Sequence, residues 1–251
     1  MNQKLLLALS MTAVLAGTGC TTTGTSLSGA LSAGQNLVTA ATLSDADVKV
    51  LGDRTSAQQD KKNKVAAPGS KHAKRLATLT SGWKTVDGIT LDYKVYMTKD
   101  INAFAVPNGA IRIFSGLMDK MTDDEVRYVV AHEIGHVVLG HSRKALQVAY
   151  ATSAAREAAA ASGNSTAAAI SNSELGALGE ALVNAQFSQK QENEADDFAL
   201  EQLRKAGKNA NGAVTALRKL EKMFGNDRSV FSSHPAPGER AARMEQKLAS
   251  R

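Results

Sequence analysis

Thr122–Val138 reads TDDEVRYVVAHEIGHVV, and its spacing decides the centre of the fold. Thr122-Asp123-Asp124-Glu125 has the form of a capping box, in which a hydroxyl and a carboxylate close each other's free N–H groups at a helix start. Val126, Val129, Val130, Ile134, Val137 and Val138 then recur at helical spacing and give the helix one apolar face. On that helix His132 and His136 stand one turn apart, so both imidazoles reach the same point in space, with Glu133 beside them. Two imidazoles so placed suit zinc, and a neighbouring carboxylate suits a general base acting on water. A catalytic zinc takes about three protein ligands and keeps one position open. The third ligand therefore has to come from elsewhere in the chain.

Two sources present themselves. A second histidine motif, His-x-x-Gly-x-x-His, fails on spacing, because Leu139 occupies the glycine position and Ser142 the histidine position. His141, five residues past His136, is rotated off the metal face of a continuous helix and reads as a polar contact or helix-end charge. The alternative is Glu192-Asn193-Glu194-Ala195-Asp196 on a later helix, where Glu192 and Asp196 share a face. One carboxylate would bind the metal, and the other would accept the free ring N–H of a metal-bound histidine. Glu194 is turned away from that face and reads as solvated.

Outward from this centre the chain is mostly helical, an α+β pattern with one small sheet. Ser44-Asp45-Ala46-Asp47 opens a polar helix towards Lys64, Pro68-Gly69-Ser70 breaks it, and a second helix runs to about Ser81. Ile89, Leu91, Tyr93, Val95 and Met97 alternate as in a half-buried strand. Ala103 to Val106 and Ala110 to Phe114 are two further strands about the turn Pro107-Asn108-Gly109, and the three form a small antiparallel sheet. Residues 149–187 are expected to hold an Ala-rich helical hairpin, too polar to span a membrane. A helix starting at Leu175 is expected to continue through Phe187 to Leu203, followed by helices from Gly212 to Phe224 and after Pro237.

The bulk composition is consistent with one core. The chain has 251 residues, 43% of them hydrophobic and 4% aromatic, which favours helices packed through small side chains. Its net charge of +6 is spread along the chain without aromatic interleaving, so no nucleic-acid partner is expected. Residues 1–19 have the layout of a secretory signal: Lys4, then Leu5 to Ala16 apolar, then small residues before Cys20. Cys20 is the single cysteine, which rules out an intramolecular disulfide. Its place resembles the bacterial lipoprotein signal, which implies lipidation of Cys20, although Gly17 stands where that signal has leucine and ordinary cleavage is the other reading. Residues 20–43, rich in Thr, Ser, Gly and Ala, read as a tether, and 44–251 as the folded domain.

Asn102-Ala103-Phe104-Ala105, Ser115-Gly116-Leu117, Asp124-Glu125, His132-Glu133-Ile134-Gly135-His136 and Glu192-x-x-Ala195-Asp196 stand in the order of a known family. Together they resemble the HtpX and CAAX-endopeptidase family of gluzincin metallopeptidases. With the signal and no membrane spans, the periplasmic lipoprotein branch is the nearer likeness, and His234-Pro235-x-Pro237-x-Glu239-Arg240 extends it. The resemblance implies a zincin-like fold and one zinc ion held by His132, His136 and Glu192, with Glu133 as base and Asp196 orienting a histidine. It implies a metalloendopeptidase acting on periplasmic or outer-membrane polypeptides, anchored to the outer membrane, with an assembly machinery or a partner protease as possible company. A chaperone-like assembly factor of low proteolytic activity is the alternative. Asn102, Ala103, Phe104 and Ala105 would be an edge strand receiving extended substrate, and Arg240 would pair with a carboxylate near the cleft. His234 stays open between oxyanion stabilisation, occupation of the fourth metal position and a turn histidine before Pro235.

Overall fold

The computed structural model describes residues 43–152, 170–225, 234 and 236–250. The signal, Cys20, nearly all of the tether and the middle of the Ala-rich insert lie outside the described residues. Among the described residues no helix is long and apolar enough to cross a membrane.

The chain order is α1 (Asp45–Lys62), α2 (Lys71–Leu79), β1 (Thr85–Val86), β2 (Ile89–Thr90), β3 (Asp92–Tyr96), β4 (Ala103–Ala105) and β5 (Ala110–Phe114). Then come α3 (Ser115–Lys120), α4 (Asp123–Val138), α5 (His141–Thr152), α6 (Asn172–Val183), α7 (Gln189–Lys205), α8 (Asn211–Phe224) and α9 (Pro237–Ala249). This is a predominantly helical zincin-like fold with small sheets. The capping boxes expected at Ser44 and Thr122 both form.

The sheet corrects one expectation. Its strand order is β3-β5-β4, with β4 antiparallel to β5 as expected but β3 parallel to β5. The link from β3 to β4 must therefore cross the end of β5, and Ser115-Gly116 makes the crossing possible. Ser115 Oγ donates to the Thr98 carbonyl and accepts from the Thr98 N–H, while Gly116 N–H donates to the same carbonyl. A Cβ at Gly116 would fall 2.2 Å from the Lys99 carbonyl oxygen, so no larger residue fits. The alternating run from Ile89 to Met97 is likewise two elements. Ile89–Thr90 pairs back on Thr85–Val86 through Asp87 and Gly88, both at positive φ, before β3 begins.

The two faces of the sheet are buried by different layers. Ala103, Ala105, Ile111 and Ile113 join a core with α2, α3, α4, α7, α8 and α9. Phe104, Val106, Ala110 and Tyr96 join a second core with Leu51 of α1, Leu146 and Tyr150 of α5, and Leu175 and Leu178 of α6. Arg112, 1% exposed, points into this second side. It meets Asp60 of α1 at 2.8 and 3.1 Å and Asp92 Oδ2 at 2.8 Å; Lys94 Nζ and Tyr96 OH complete the Asp60 carboxylate.

Two helices carry the candidate site, α4 and α7, and they meet at very small residues. A Cβ on Gly135 would lie 3.2 Å from the Ala195 Cα and carbonyl oxygen, so glycine lets the helix backbones close together. The expected single helix from Leu175 to Leu203 breaks at residues 184–188. Ser188 caps α7 with a reciprocal Gln191 box, a start signal that outweighs the helical tendency before it.

Candidate metal centre

One helical turn of α4 sets His132 and His136 side by side, and the close approach of α7 places Glu192 opposite them. His132 Nε2 and His136 Nε2 are 3.0 Å apart. Glu192 Oε1 lies 3.4 Å from His136 Nε2, and Glu192 Oε2 lies 3.5 Å from His132 Nε2. His234, arriving just before α9, puts Nδ1 3.3 Å from His132 Nε2 and 3.1 Å from Glu192 Oε1. One donor atom from each of the four residues falls within 4.8 Å of every other, and all four residues are buried.

This donor set fits zinc. Tetrahedral zinc with Zn–N bonds of about 2.0–2.1 Å sets its ligand atoms roughly 3.3–3.4 Å apart, close to the separations here. Imidazole and carboxylate are its usual donors. The charge also fits. Buried around the cluster are the carboxylates of Glu133, Glu192 and Asp196 against one guanidinium, that of Arg240. Glu192 Oε2 is fully buried and has no well-directed hydrogen bond, although Arg240 Nη1 stands 2.5 Å away. Such a concentration of buried carboxylates suits a cation.

Behind His132 the polar groups are densely hydrogen-bonded. Asp196 Oδ1 lies 3.0 Å from His132 Nδ1. Asp196 in turn accepts from Tyr128 OH at 2.6 Å and from Arg240 Nη2 and Nε at 2.6 and 2.9 Å. Burial works to raise the Asp196 carboxyl, but the charge and hydrogen bonds of Arg240 hold it well below the ordinary carboxylate range. Glu192 is depressed for the same reason, with Arg240 and His234 outweighing burial. Burial and the Arg240 charge push His132 down, yet its hydrogen bonds to Asp196 and Glu192 prevail and raise it to about 9. For His136 burial outweighs the hydrogen bond to Glu192 and takes it well below the usual histidine value.

Glu133 is buried beside the cluster, 3.4 Å from His234 Nε2, and burial pushes its carboxyl up. It borders a cavity of about 30 Å³ with Ala103, Leu117, Val129, Leu217 and Leu220. Of the expected edge strand, Ala103 therefore reaches the site. Phe104 points to the other core, against Tyr96 and Phe114 at 6.0 and 6.3 Å, so only its backbone belongs to this side. Asn102 Oδ1 accepts from the Ala103 N–H at 2.8 Å. Arg240 lies under the cluster with its donors on Glu192 and Asp196, so it pairs with two carboxylates where one was expected.

Two residues escaped the sequence reading. Tyr128 stands one turn before His132, and the run 128, 132, 136 was a legible signal for its face. Phe187 stacks on His136 with ring centroids 3.9 Å apart and an interplanar angle of 29°, from a linker whose course no periodicity marks. Glu194, read as solvated, keeps 43% of its side chain exposed and also meets His141 Nε2 at 3.2 Å.

The chain matches the sequence model of peptidase family M48 over residues 72–248. It is 46% identical to the metalloprotease LoiP of Escherichia coli (strain K12), over 99% of this chain and 97% of that protein. It is 43% identical to the metalloprotease YcaL of the same organism, over 99% and 98%. A putative beta-barrel assembly-enhancing protease of Vibrio cholerae shares 27% identity over 61% of this chain and 32% of its own length.

Proposed function

The chain belongs to peptidase family M48 and is a zinc-dependent metalloendopeptidase, and from this premise we propose which of its residues perform the hydrolysis and where in the cell they do so. His132, His136 and Glu192 hold the zinc, and the observation that carries this is the convergence of their donor atoms on one buried point. Zinc held there supplies a Lewis acid for the scissile carbonyl and an acidified water as nucleophile. Glu133 takes the proton from the attacking water on its carboxylate and delivers it to the leaving amine. Its raised pKa, a consequence of burial, suits both transfers. Asp196 accepts from His132 Nδ1 and keeps that ring in the Nε2-binding tautomer.

The substrate lies along β4 as an added strand. Ladder bonds from Phe114 N–H to the Asn102 carbonyl and from Val106 N–H to the Ala110 carbonyl fix the alternation. That alternation turns the Ala103 and Ala105 peptide groups away from β5, towards the edge of β4 that no strand pairs with among the described residues. Asn102 Oδ1 holds the Ala103 N–H where a substrate carbonyl would sit, and would have to yield it. His234, with one nitrogen among the ligand atoms and the other on Glu133, would add a fourth donor to a bound zinc and tie up the base. In this arrangement it restrains the enzyme, and turnover requires it to move aside. Arg240 neutralises Glu192 and Asp196 beneath the cluster, and we assign it no direct grip on substrate.

The substrates are periplasmic or outer-membrane polypeptides, and Cys20 carries the lipid that tethers the domain at 44–251. The support is the signal pattern of residues 1–20 and near full-length similarity to bacterial metalloproteases. An assembly-factor role with little proteolysis is the competing reading; the intact Glu133 speaks against it, since a structural zinc needs no base.

The test is casein cleavage by purified protein. Glu133→Gln should keep its zinc and lose about 10²–10⁴-fold in turnover, and undiminished cleavage would overturn the role of Glu133. His234→Ala should raise basal cleavage at unchanged zinc content; no change in either would remove His234 from the mechanism. Cys20→Ser should release the protein from the membrane fraction.

A further inference from the structure

His136 differs from His132 in having no carboxylate directly behind it. Its Nε2 faces the cluster, so as a zinc ligand it must carry its hydrogen on Nδ1. The atom facing that hydrogen is another ring nitrogen, His141 Nδ1, at 3.1 Å. Two facing ring nitrogens bond only when one holds the hydrogen and the other a lone pair. His136 Nδ1 donates, so His141 Nδ1 must accept, and the hydrogen of His141 then sits on Nε2. That nitrogen is 3.2 Å from Glu194 Oε2. One proton placement satisfies all three groups.

We infer that His141 and Glu194 form a relay that fixes the tautomer and orientation of His136, the counterpart of Asp196 behind His132. This rests on the reading of His136 as a zinc ligand. Helical phase alone hides the relay, because α4 ends at Val138 and Gly140, at φ 74, turns the chain before α5 begins at His141. The turn swings His141 back under α4, where it is 6% exposed. Glu194, two residues past Glu192 on α7, reaches it from the opposite side with 43% of its side chain exposed. Phe187 covers the face of the His136 ring and leaves its Nδ1 edge to His141. His141 is a positioning residue, acting on the metal through His136.

The experiment measures zinc affinity by competition with a chelating dye, and the visible spectrum of the cobalt-substituted protein, on the full chain and five variants. His141→Ala should weaken zinc about 10–100-fold and alter the cobalt spectrum. His141→Asn, whose carboxamide oxygen sits where Nδ1 does, should restore most of both. His141→Gln, which extends past that position, should not. Glu194→Gln, a change at the half-exposed end that leaves the core intact, should give a smaller loss in the wild-type background. It should give none when combined with His141→Asn. Zinc affinity and cobalt spectrum unchanged in His141→Ala would overturn the relay and leave His136 as a ligand. His141→Asn as defective as His141→Ala, with equal melting temperatures, would also overturn it. A wild-type chain that takes up no zinc would overturn the ligand assignment itself, and the relay with it.

Discussion

Two buried arginines anchor two ionic networks, and they serve opposite purposes. Arg112 and Arg240 are 1% and 2% exposed, and each holds two carboxylates, one of which also accepts from a tyrosine hydroxyl. Around Arg112 the charges cancel, with Arg112 and Lys94 against Asp60 and Asp92. That network also opens to water through Asp92, whose side chain is 58% exposed. Around Arg240 the carboxylates of Glu192, Asp196 and neighbouring Glu133 outnumber the guanidinium, none of the three is open to solvent, and the metal-free protein makes up charge with a proton on His132, raised to about 9. A balanced network clamps α1 to the sheet. An unbalanced one, sealed from water, is a place for a metal ion. Charge balance, and not the presence of a buried arginine, separates scaffold from site.

The comparison breaks most sharply at Arg240. Arg240→Met leaves two buried carboxylates facing each other and should cost about 3–5 kcal/mol in the metal-free protein, measured by chemical denaturation. Added zinc should recover part of that loss. Next in size is the metal itself. Zinc at about a thousand times its dissociation constant should stabilise the wild type by about 4 kcal/mol, and a chelator should remove the increment. The same increment should survive in Arg112→Met, because that network lies across the sheet from the cluster. Arg112→Met should itself cost only about 1.5–3 kcal/mol, since Asp60 keeps Lys94 and Tyr96 and Asp92 turns to water. If Arg112→Met costs as much as Arg240→Met, or loses zinc, the distinction between the two networks fails.

The smallest expected effect concerns acid. Burial works to raise Asp60, but its hydrogen bonds to Arg112, Lys94 and Tyr96 outweigh it and lower its pKa. A depressed carboxyl contributes stability that is complete above its unfolded pKa and lost as pH falls through its folded one. Stability should therefore decline below about pH 4, and Asp60→Asn should flatten that limb while lowering stability at neutral pH. An unchanged acid limb in Asp60→Asn would show that the clamp contributes nothing there.

Much of the site was legible because it is local. Positions four apart on one helix share a face whatever surrounds them, and this pairs His132 with His136 and Glu192 with Asp196. The capping boxes at Ser44 and Thr122 are equally local. What failed to show was set by partners distant in sequence. The parallel pairing of β3 with β5 depends on a crossing that only Gly116 permits, and strand periodicity carries no direction. Arg112 stands in a strand where a charge suggests exposure, and it is buried because Asp60, on α1, arrives from 52 residues away.

His141 shows where the boundary falls. The sequence alone determined that His132 and His136 share one face of α4, because backbone geometry fixes the angle between them without help from the rest of the chain. It also determined, correctly for a continuous helix, that His141 is rotated off the metal face. Only the tertiary structure decided what His141 touches, because Gly140 ends the helical phase and α7 brings Glu194 to meet it. It likewise decided that the carboxylates outnumber Arg240 around the cluster, a sum over side chains that α4, α7 and α9 bring together only when they pack.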